Sequence, residues 1–196
     1  RRYSSELGVE GNELLDFIAI GARGMQTLIV DLVEYSRVGL SPPKFEAVEL
    51  AQVVQSAWQT LSPAVHEHKA QLDCGPLPVV QANAVLLRQL FRNLLDNAIK
   101  YQPDRCPSLT IRAREVDGQH EIRVSDNGIG IEPQYLEQIF QPFRRLHTKD
   151  QFPGTGLGLA LCRKVALMHR GTLRAESVPG AGSTFILTLP GKPRAV

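Results

Sequence analysis

The chain has 196 residues, of which 43% are hydrophobic and 21% charged, and its formal net charge at pH 7 is +2. This is the composition of a globular protein, and so small a charge predicts no recruitment to nucleic acid or to an anionic membrane surface. No apolar run approaches the roughly 18 residues of a membrane-spanning helix, so we expect no membrane segment in this chain.

Two further features of the composition concern the cellular context. The chain opens with Arg1-Arg2-Tyr3, without a methionine and without a basic-then-apolar signal sequence, so we expect it to be part of a longer protein. The three cysteines, Cys74, Cys106 and Cys162, have no metal-ligand spacing. Such an odd set is typical of reduced, structural thiols, and we therefore expect a cytoplasmic location.

The first predicted element is a long helix from Glu10 to Val38. Its apolar positions recur in steps of three and four, which is typical of a helix that packs against other helices. These positions are Leu14, Ile18, Gly21, Met25, Leu28, Leu32 and Tyr35. A lone helix of this length has nothing of its own to bury against, so it predicts a partner; a core helix of the same domain is the alternative.

A domain boundary is predicted where this helix ends. Gly39 stops the helical pattern, and Ser41-Pro42-Pro43 forms a stiff break directly after it. We therefore divide the chain into a helical region, residues 1–41, and a second domain, residues 42–196.

The second domain alternates helix and strand patterns. Helices are predicted over residues 48–62, 83–101, 133–140 and 158–169. Strands are predicted over residues 70–73, 79–80, 109–116, 120–124, 172–176 and 184–189. Asp117-Gly118 lies between two of these strands and is a strong hairpin signal. Helices on one face of a mixed or antiparallel sheet predict an α+β fold, a two-layer α/β sandwich.

The strongest predicted helix carries polar residues on an otherwise apolar surface. Asn93, Asn97 and Lys100 are four and three residues apart, so they share one helix face. A carboxamide oxygen is a neutral ligand suited to Mg²⁺, which also keeps waters and shares phosphate oxygens. Lys100 would then oppose phosphate charge. A solvated polar helix face would give the same spacing.

A second polar segment, residues 126–130, directly follows a predicted strand. Its two glycines, Gly128 and Gly130, allow the backbone to approach a flat ligand closely. The Asp126 carboxylate, at the end of the strand, can accept a hydrogen bond from an amino group such as that of adenine. An ordinary Asp-Asn-Gly turn is the alternative.

A third segment is glycine-rich and opens a predicted helix. It consists of Gly154, Thr155, Gly156, Leu157, Gly158 and Leu159. Glycine-rich backbone at a helix N-terminus presents free N–H groups and the positive end of the helix dipole, which suits phosphate. The pattern is neither a Walker motif nor a Rossmann fingerprint, and a flexible loop is the alternative.

The polar stretch just before this segment, residues 144–153, predicts a mobile lid over a nucleotide. Phe140-Gln141-Pro142-Phe143 stands at the start of the lid and would hinge it on the core. A plain hydrophobic loop is equally compatible with these four residues.

In order and spacing, these segments resemble the signature motifs of the catalytic domain of sensor histidine kinases. The corresponding motifs are residues 93–101, 126–130, 140–143 and 154–159, followed by a closing strand turn at residues 180–185. The resemblance covers Val48 to Pro190 and implies the histidine-kinase/gyrase-type ATP-binding fold. The long helix resembles the second helix of the dimerisation bundle of these kinases, especially those attached to phytochrome-type sensors.

The resemblance implies an ATP site between the helices and the sheet. Asp126 would accept from the adenine amino group, and Thr184 would support the base from the sheet. Asn97 would be the Mg²⁺ ligand, with Asn93 as an auxiliary contact. The complete implied ATP site comprises Asn93, Asn97, Lys100, Tyr101, Asp126, Gly128, Gly130, Gly154, Thr155, Gly156, Leu157, Gly158 and Thr184.

The activity implied by the resemblance is transfer of the γ-phosphoryl group of ATP to a histidine of the dimerisation helix, for relay to a response-regulator aspartate. Related ATPases carry a glutamate base where Asn93 stands, so its absence favours transfer over hydrolysis. An ATP-binding regulatory module and a gyrase-like ATPase are the alternatives. The implied partners are a second copy in a homodimer, a receiver domain and an upstream sensor domain, with no nucleic acid.

None of the five histidines fits the acceptor role. They are His66, His68, His120, His147 and His169. His66-Glu67 mimics the acceptor pair of the family but follows the domain break, and each of the others is expected to be a surface or a hydrogen-bonded histidine. We therefore expect the acceptor upstream of Arg1 and no catalytic residue in this chain.

Overall fold

The computed structural model describes residues 8–40, 43–102, 106–146, 152 and 154–191. The chain divides into two compact units, Arg1–Arg37 and Val38–Val196. In the first unit the described residues form one helix, α1 (Gly8–Arg37). Large apolar side chains of α1 are exposed, from 41% at Val33 to 79% at Phe17. Among the described residues, no helix is long and apolar enough to cross a membrane.

The second unit is an α+β domain. Its helices are α2 (Leu50–Thr60), α3 (Ser62–His68), α4 (Ala84–Lys100) and α5 (Gly158–Met168). Two short 3₁₀ helices cover Pro133–Tyr135 and Gln138–Phe140. Its strands are β1 (Glu46–Glu49), β2 (Gln71–Cys74), β3 (Val79–Ala82), β4 (Ser108–Val116), β5 (Gln119–Asp126), β6 (Thr172–Val178) and β7 (Gly182–Pro190).

The main sheet has five strands in the order β2-β4-β5-β7-β6, and only the β2–β4 pair is parallel. A separate antiparallel pair joins β1 and β3. The β4–β5 hairpin turns at Asp117 and Gly118, whose φ angles are 51° and 74°. Positive φ at both central residues is what a tight hairpin turn requires, so the Asp-Gly prediction is confirmed.

The core lies between the helices and one face of this sheet. Helix α4 packs between α2 and α5. Its buried side chains are Leu87, Leu90, Phe91, Leu94, Leu95, Ala98 and Ile99. Burying each Leu contributes about 1.5–3 kcal/mol, so α4 is held firmly and its polar face has a fixed position. The predicted two-layer α/β sandwich is confirmed.

The other face of the main sheet carries ion pairs. Arg114 pairs with Glu121 at 2.6 Å, and Arg123 pairs with Glu176 at 2.7 Å. Arg174 lies beside Glu176 and completes this charged surface. Arg114 is largely exposed, whereas the Glu121 carboxylate is nearly buried beneath its arginine partners. The more exposed of these pairs contribute little to stability, but they suit a sheet face that faces water.

Candidate functional site

An open cavity of about 620 Å³ lies where α4, the end of β5 and the start of α5 converge. It is lined by Asn97, Tyr101, Asp126, Ile129, Gly130, Ile131, Ile139, Arg144, Arg145, Leu146, Leu159, Ser183 and Phe185. Four of these, Asn97, Tyr101, Asp126 and Gly130, belong to the site predicted from the sequence. The cavity therefore brings together residues of the motifs at 93–101, 126–130 and 154–159 and of the closing turn at 180–185.

Asp126 forms the polar end of the cavity. Its Oδ1 accepts hydrogen bonds from the backbone N–H groups of Gly128 at 2.8 Å and Ser183 at 3.1 Å. Burial raises the pKa of the Asp126 carboxyl, and the two N–H donors oppose that rise. Among the described residues, no hydrogen bond reaches Oδ2. That oxygen can therefore accept a hydrogen bond from a ligand.

The two glycines after Asp126 have different surroundings. Gly130 lines the cavity and has φ of 72°, and a Cβ there would lie 2.2 Å from the Val178 carbonyl oxygen. A Cβ at Gly128 would lie 2.7 Å from the Tyr101 carbonyl oxygen, at the end of α4. Both positions exclude a side chain, but Gly128 serves the packing of α4 against β5 and does not line the cavity.

The polar face of α4 points in two directions. Asn97 and Tyr101 line the cavity. Asn93 lies further from it and donates from Nδ2 to the Gly158 carbonyl at 3.4 Å. The Lys100 ammonium lies 4.9 Å from the centre of the Tyr101 ring. It also lies so close to Gly154 that a Cβ there would be 2.7 Å from Nζ.

The glycine-rich segment before α5 is thus adjacent to the polar face of α4. Gly156 has φ of 77° and accepts a hydrogen bond from the Phe143 N–H at 3.0 Å. Thr155 accepts from the Leu157 N–H at 3.4 Å. Leu157 is 2% exposed, so its side chain anchors the segment in the core and only its backbone is placed to serve a ligand.

Of the predicted lid, the structure describes residues 144–146 and 152, whereas residues 147–151 and 153 lie outside the described residues. Arg144, Arg145 and Leu146 line the cavity. Arg145 donates to the Phe152 carbonyl at 2.8 Å, and the Phe152 ring lies 4.8 Å from the Tyr101 ring.

The phenylalanine motif at the start of the lid is divided between core and surface. Phe140 is 4% exposed, whereas Phe143 is 57% exposed and has φ of 62°. Only Phe140 is an anchor of the kind predicted for a hinge.

Thr184, predicted to support the base, is not among the cavity-lining residues. Its hydroxyl lies 2.8 Å from the Ser125 hydroxyl on the charged face of the sheet. Side chains alternate along a strand, so its neighbours Ser183 and Phe185 face the cavity instead. The sequence signal that identifies Ser183 is the buried Phe185, which is two residues away and on the same face.

The site predicted from the sequence left out the apolar walls and the cations, although Ile129, Leu159 and Phe185 lie inside its motifs. Ile129, Ile131, Ile139, Leu159 and Phe185 supply apolar surface of the kind that holds a flat ring. Arg144 and Arg145 add positive charge to the lining. Apolar walls, a single carboxylate and cations suit a ligand that combines an aromatic base with phosphates.

The described histidines do not line this cavity. His169 is 3% exposed, donates from Nδ1 to the Val165 carbonyl at 2.8 Å and accepts at Nε2 from the Asn83 N–H at 3.0 Å. Burial lowers its pKa, so it is a neutral structural residue. His147 lies outside the described residues. The three cysteines are free, and burial raises the pKa of Cys162 to about 12.

A metal ion at this site would have few protein ligands. Among the described residues, no group of three or more His, Cys, Asp or Glu side chains could hold one. Mg²⁺ accepts such a site, since it keeps several waters and shares phosphate oxygens. The Asn97 carboxamide in the cavity therefore fits Mg²⁺ bound together with a nucleotide.

Comparison with known proteins identifies the family of this chain. Residues 82–193 match the family of histidine kinase-, DNA gyrase B- and HSP90-like ATPases. This range is more than half of the chain and contains every residue that lines the cavity. The chain belongs to this family, and the predicted relationship to sensor histidine kinases is confirmed.

Two relatives show which members of the family this chain resembles. The chain is 40% identical to cyanobacterial phytochrome A of Nostoc sp., over 96% of this chain and 25% of the phytochrome. It is 35% identical to the adaptive-response sensory kinase SasA of a Synechococcus species, over 86% of this chain and 46% of that kinase. The chain thus spans less than half the length of either relative.

A solved structure shows the same fold. Full-length ShkA in complex with AMPPNP superposes with a TM-score of 0.74 at 23% identity, over 97% of this chain and 41% of that chain.

Proposed function

We propose that this chain is the ATP-binding catalytic part of a protein-histidine kinase. It binds Mg²⁺ and ATP in the cavity and transfers the γ-phosphoryl group to a histidine of the dimerisation region. The observation that carries the proposal is the convergence of Asp126, Asn97 and two arginines around one apolar cavity in a family of ATPases. Residues 42–196 are the catalytic domain, and residues 1–41 belong to the dimerisation region.

In this proposal Asp126 recognises the adenine base. Its Oδ1 is occupied by two backbone donors, so its charge is fixed in place and Oδ2 is left to accept from an exocyclic amino group. An ionised acceptor at this point favours adenine, which presents an amino group, over guanine, which presents a carbonyl there. Ile129, Ile131 and Phe185 provide the walls for the ring.

The phosphates lie toward the other end of the cavity. Asn97 is placed to hold Mg²⁺, and when bound the ion neutralises charge on the phosphate oxygens. Arg144 and Arg145 line the cavity, and Lys100 lies beside Gly154 at the start of the glycine-rich segment. Backbone N–H groups at the N-terminus of α5 add the positive end of a helix dipole.

Transfer to a partner is favoured over hydrolysis because, among the described residues, a carboxamide stands at the position where the related ATPases carry a glutamate base for water. Asn93 holds its amide against the Gly158 carbonyl, and a carboxamide cannot accept a proton from water. In the transfer step, the bond between the γ-phosphorus and its bridging oxygen breaks, and a new bond forms between that phosphorus and an imidazole nitrogen of the acceptor histidine. ADP leaves with the bridging oxygen, and the imidazole loses its proton.

The dimerisation region is represented by α1. Its exposed apolar side chains span a face broader than a single helix–helix seam, so α1 has room for more than one neighbouring helix. A second copy of this chain supplies such neighbours in a homodimer. The acceptor histidine, an upstream sensor domain and a receiver domain complete the proposed system, which works in the cytoplasm because ATP is available there.

The isolated chain provides the first test. It is expected to bind Mg²⁺ and ATP, to prefer ATP over GTP, and to release inorganic phosphate no faster than the uncatalysed reaction. Calorimetric titration measures the binding, and a coupled phosphate assay measures the turnover. Sustained hydrolysis of ATP would contradict the proposal and favour a gyrase-like ATPase. Failure to bind ATP would contradict the site assignment.

A further inference from the structure

The Asn127 side chain connects the end of β5, the strand that carries Asp126, to residues at the start of β4. Its Oδ1 accepts a hydrogen bond from the Ser108 N–H at 2.9 Å. Its Nδ2 donates to the Cys106 carbonyl at 3.1 Å. Both ends of the carboxamide are therefore engaged within the protein, which makes Asn127 a connector and not a ligand contact.

The backbone that these side-chain bonds hold in place contacts the end of α4. The buried Gln102 side chain donates from Nε2 to the Asn127 carbonyl. Two residues further on, the Ile129 N–H donates to the Tyr101 carbonyl at 3.1 Å. Between them, Gly128 packs directly against that same carbonyl. These contacts hold the C-terminal end of α4 against the end of β5.

This joint connects the two elements that carry Asp126 and Asn97, which both line the cavity. In the proposed function Asp126 holds the base, whereas Asn97, one turn before Tyr101 on α4, holds the metal and the phosphates. A ligand that reaches both ends has an affinity that depends on their separation, because misplacement of either end costs binding.

We infer that Asn127 is a positioning residue that sets the separation between Asp126 and Asn97. The inference rests on the proposed function, since only a ligand with both a base and phosphates spans the two ends. Asn127 acts through the backbone that its side chain holds in place, and not by contact with the ligand.

The test compares two ligands of the whole chain. Asn127→Ala removes both side-chain hydrogen bonds but leaves Asp126 with its donors from Gly128 and Ser183. We expect affinity for ATP with Mg²⁺ to fall by about 10-fold or more, and affinity for adenosine, which needs only the base end, to change less than about threefold. Calorimetric titration measures both. The ratio of the two affinities is the readout, because partial unfolding lowers both equally.

Asn83→Ala is the matched control. It also removes two side-chain hydrogen bonds, one to the Lys44 carbonyl at 3.2 Å and one from the Leu86 N–H at 3.0 Å, at a residue outside the cavity lining. It should lower the melting temperature and leave the affinity ratio unchanged.

If Asn127→Ala does not fold, Asn127→Asp keeps the acceptor for Ser108, loses the donor to Cys106 and should lower the same ratio. An unchanged ratio, whether both affinities fall together or neither falls, would overturn the inference. A wild-type chain with no preference for ATP over adenosine would instead overturn the proposed function.

Discussion

Asp126 works against the stability of its own domain. Its carboxyl is largely buried, and this burial raises its pKa although Gly128 and Ser183 donate to it. An acid whose pKa is higher in the folded than in the unfolded state destabilises the fold above the folded pKa. The cost is absent below the unfolded pKa. A charge retained at such a cost is typical of a functional position.

Asp126→Asn is therefore expected to separate binding from stability. An asparagine oxygen still accepts from both N–H donors, but its amide can present a donor to the adenine amino group. We expect ATP affinity to fall about 100-fold, on the order of 2–3 kcal/mol, with the melting temperature unchanged or higher. Calorimetric titration and a thermal scan measure the two effects. A variant that loses both binding and thermal stability would contradict this account.

The same residue predicts the pH dependence of binding, which serves as a control for the substitution. Affinity of the wild-type chain for ATP should fall as the pH falls through the raised pKa of Asp126, because the protonated carboxyl is a poorer acceptor. The Asn variant should lack this component of the pH profile.

Individual residues were predictable to the extent that their motif fixed their direction. Asp126 and Asn97 follow from a strand end and from helix spacing, and both line the cavity. Thr184 and Leu157 also lie in motifs that resemble those of the family. However, Thr184 faces the other side of the sheet, and Leu157 faces the core. Motif membership does not tell which way a side chain points, and only strand alternation and burial do so.

At the scale of elements, those with strong local patterns were found, and two short ones, strand β1 and helix α3, were missed. Helices α1, α4 and α5 have clear periodicity, and the structure has them at nearly the predicted bounds. Strand β1 has four residues and exists through pairing with β3, whose partner residues are 30 to 36 positions away. Helix α3 has seven residues, too few to show a period.

The predicted helix over residues 133–140 is two 3₁₀ turns. Its apolar residues anchor only at Ile139 and Phe140, where the chain enters the core. A short segment held at one end has no buried stripe of the kind that stabilises a continuous α-helix.

Helix α1 provides a prediction at this scale. Ile18 and Ile29 are 59% and 63% exposed on its apolar face, so a charge at either position should oppose self-association. Ile18→Glu together with Ile29→Glu is expected to shift the chain from dimer to monomer in sedimentation velocity, with ATP affinity unchanged. Thr27→Glu, on the polar side of α1, is the matched control and should leave the dimer intact. A wild-type chain that sediments as a monomer would contradict the proposed dimer.

At the scale of the whole molecule, motifs separated along the chain form one cavity. Residues 93–101 and 126–130 meet through the contacts of Gly128 and Ile129 with the Tyr101 carbonyl. Residues 154–158 approach the same helix through Lys100 and Asn93. Motif order predicts that these parts converge, but the distances between them depend on side-chain contacts such as those of Asn127, which no local pattern encodes.

In the proposed kinase, the nucleotide site and the acceptor histidine lie in different parts of the protein. The chain supplies the nucleotide site, whereas the acceptor histidine is proposed to lie in a part of the dimerisation region that precedes residue 1. The described histidines do not line the cavity, which supports that separation. The relatives are about two to four times as long as this chain, so the proposed system has room for further parts.

Phosphoryl transfer to histidine tests the proposed kinase activity itself. The chain is incubated with Mg²⁺, γ-labelled ATP and the parent protein's upstream helix, with the Asp126→Asn variant in parallel. The account predicts labelled protein that loses its label in acid and keeps it in base, as a phosphohistidine does, and little label with the variant. Label that survives acid, or no label on the helix while ATP still binds, would contradict it.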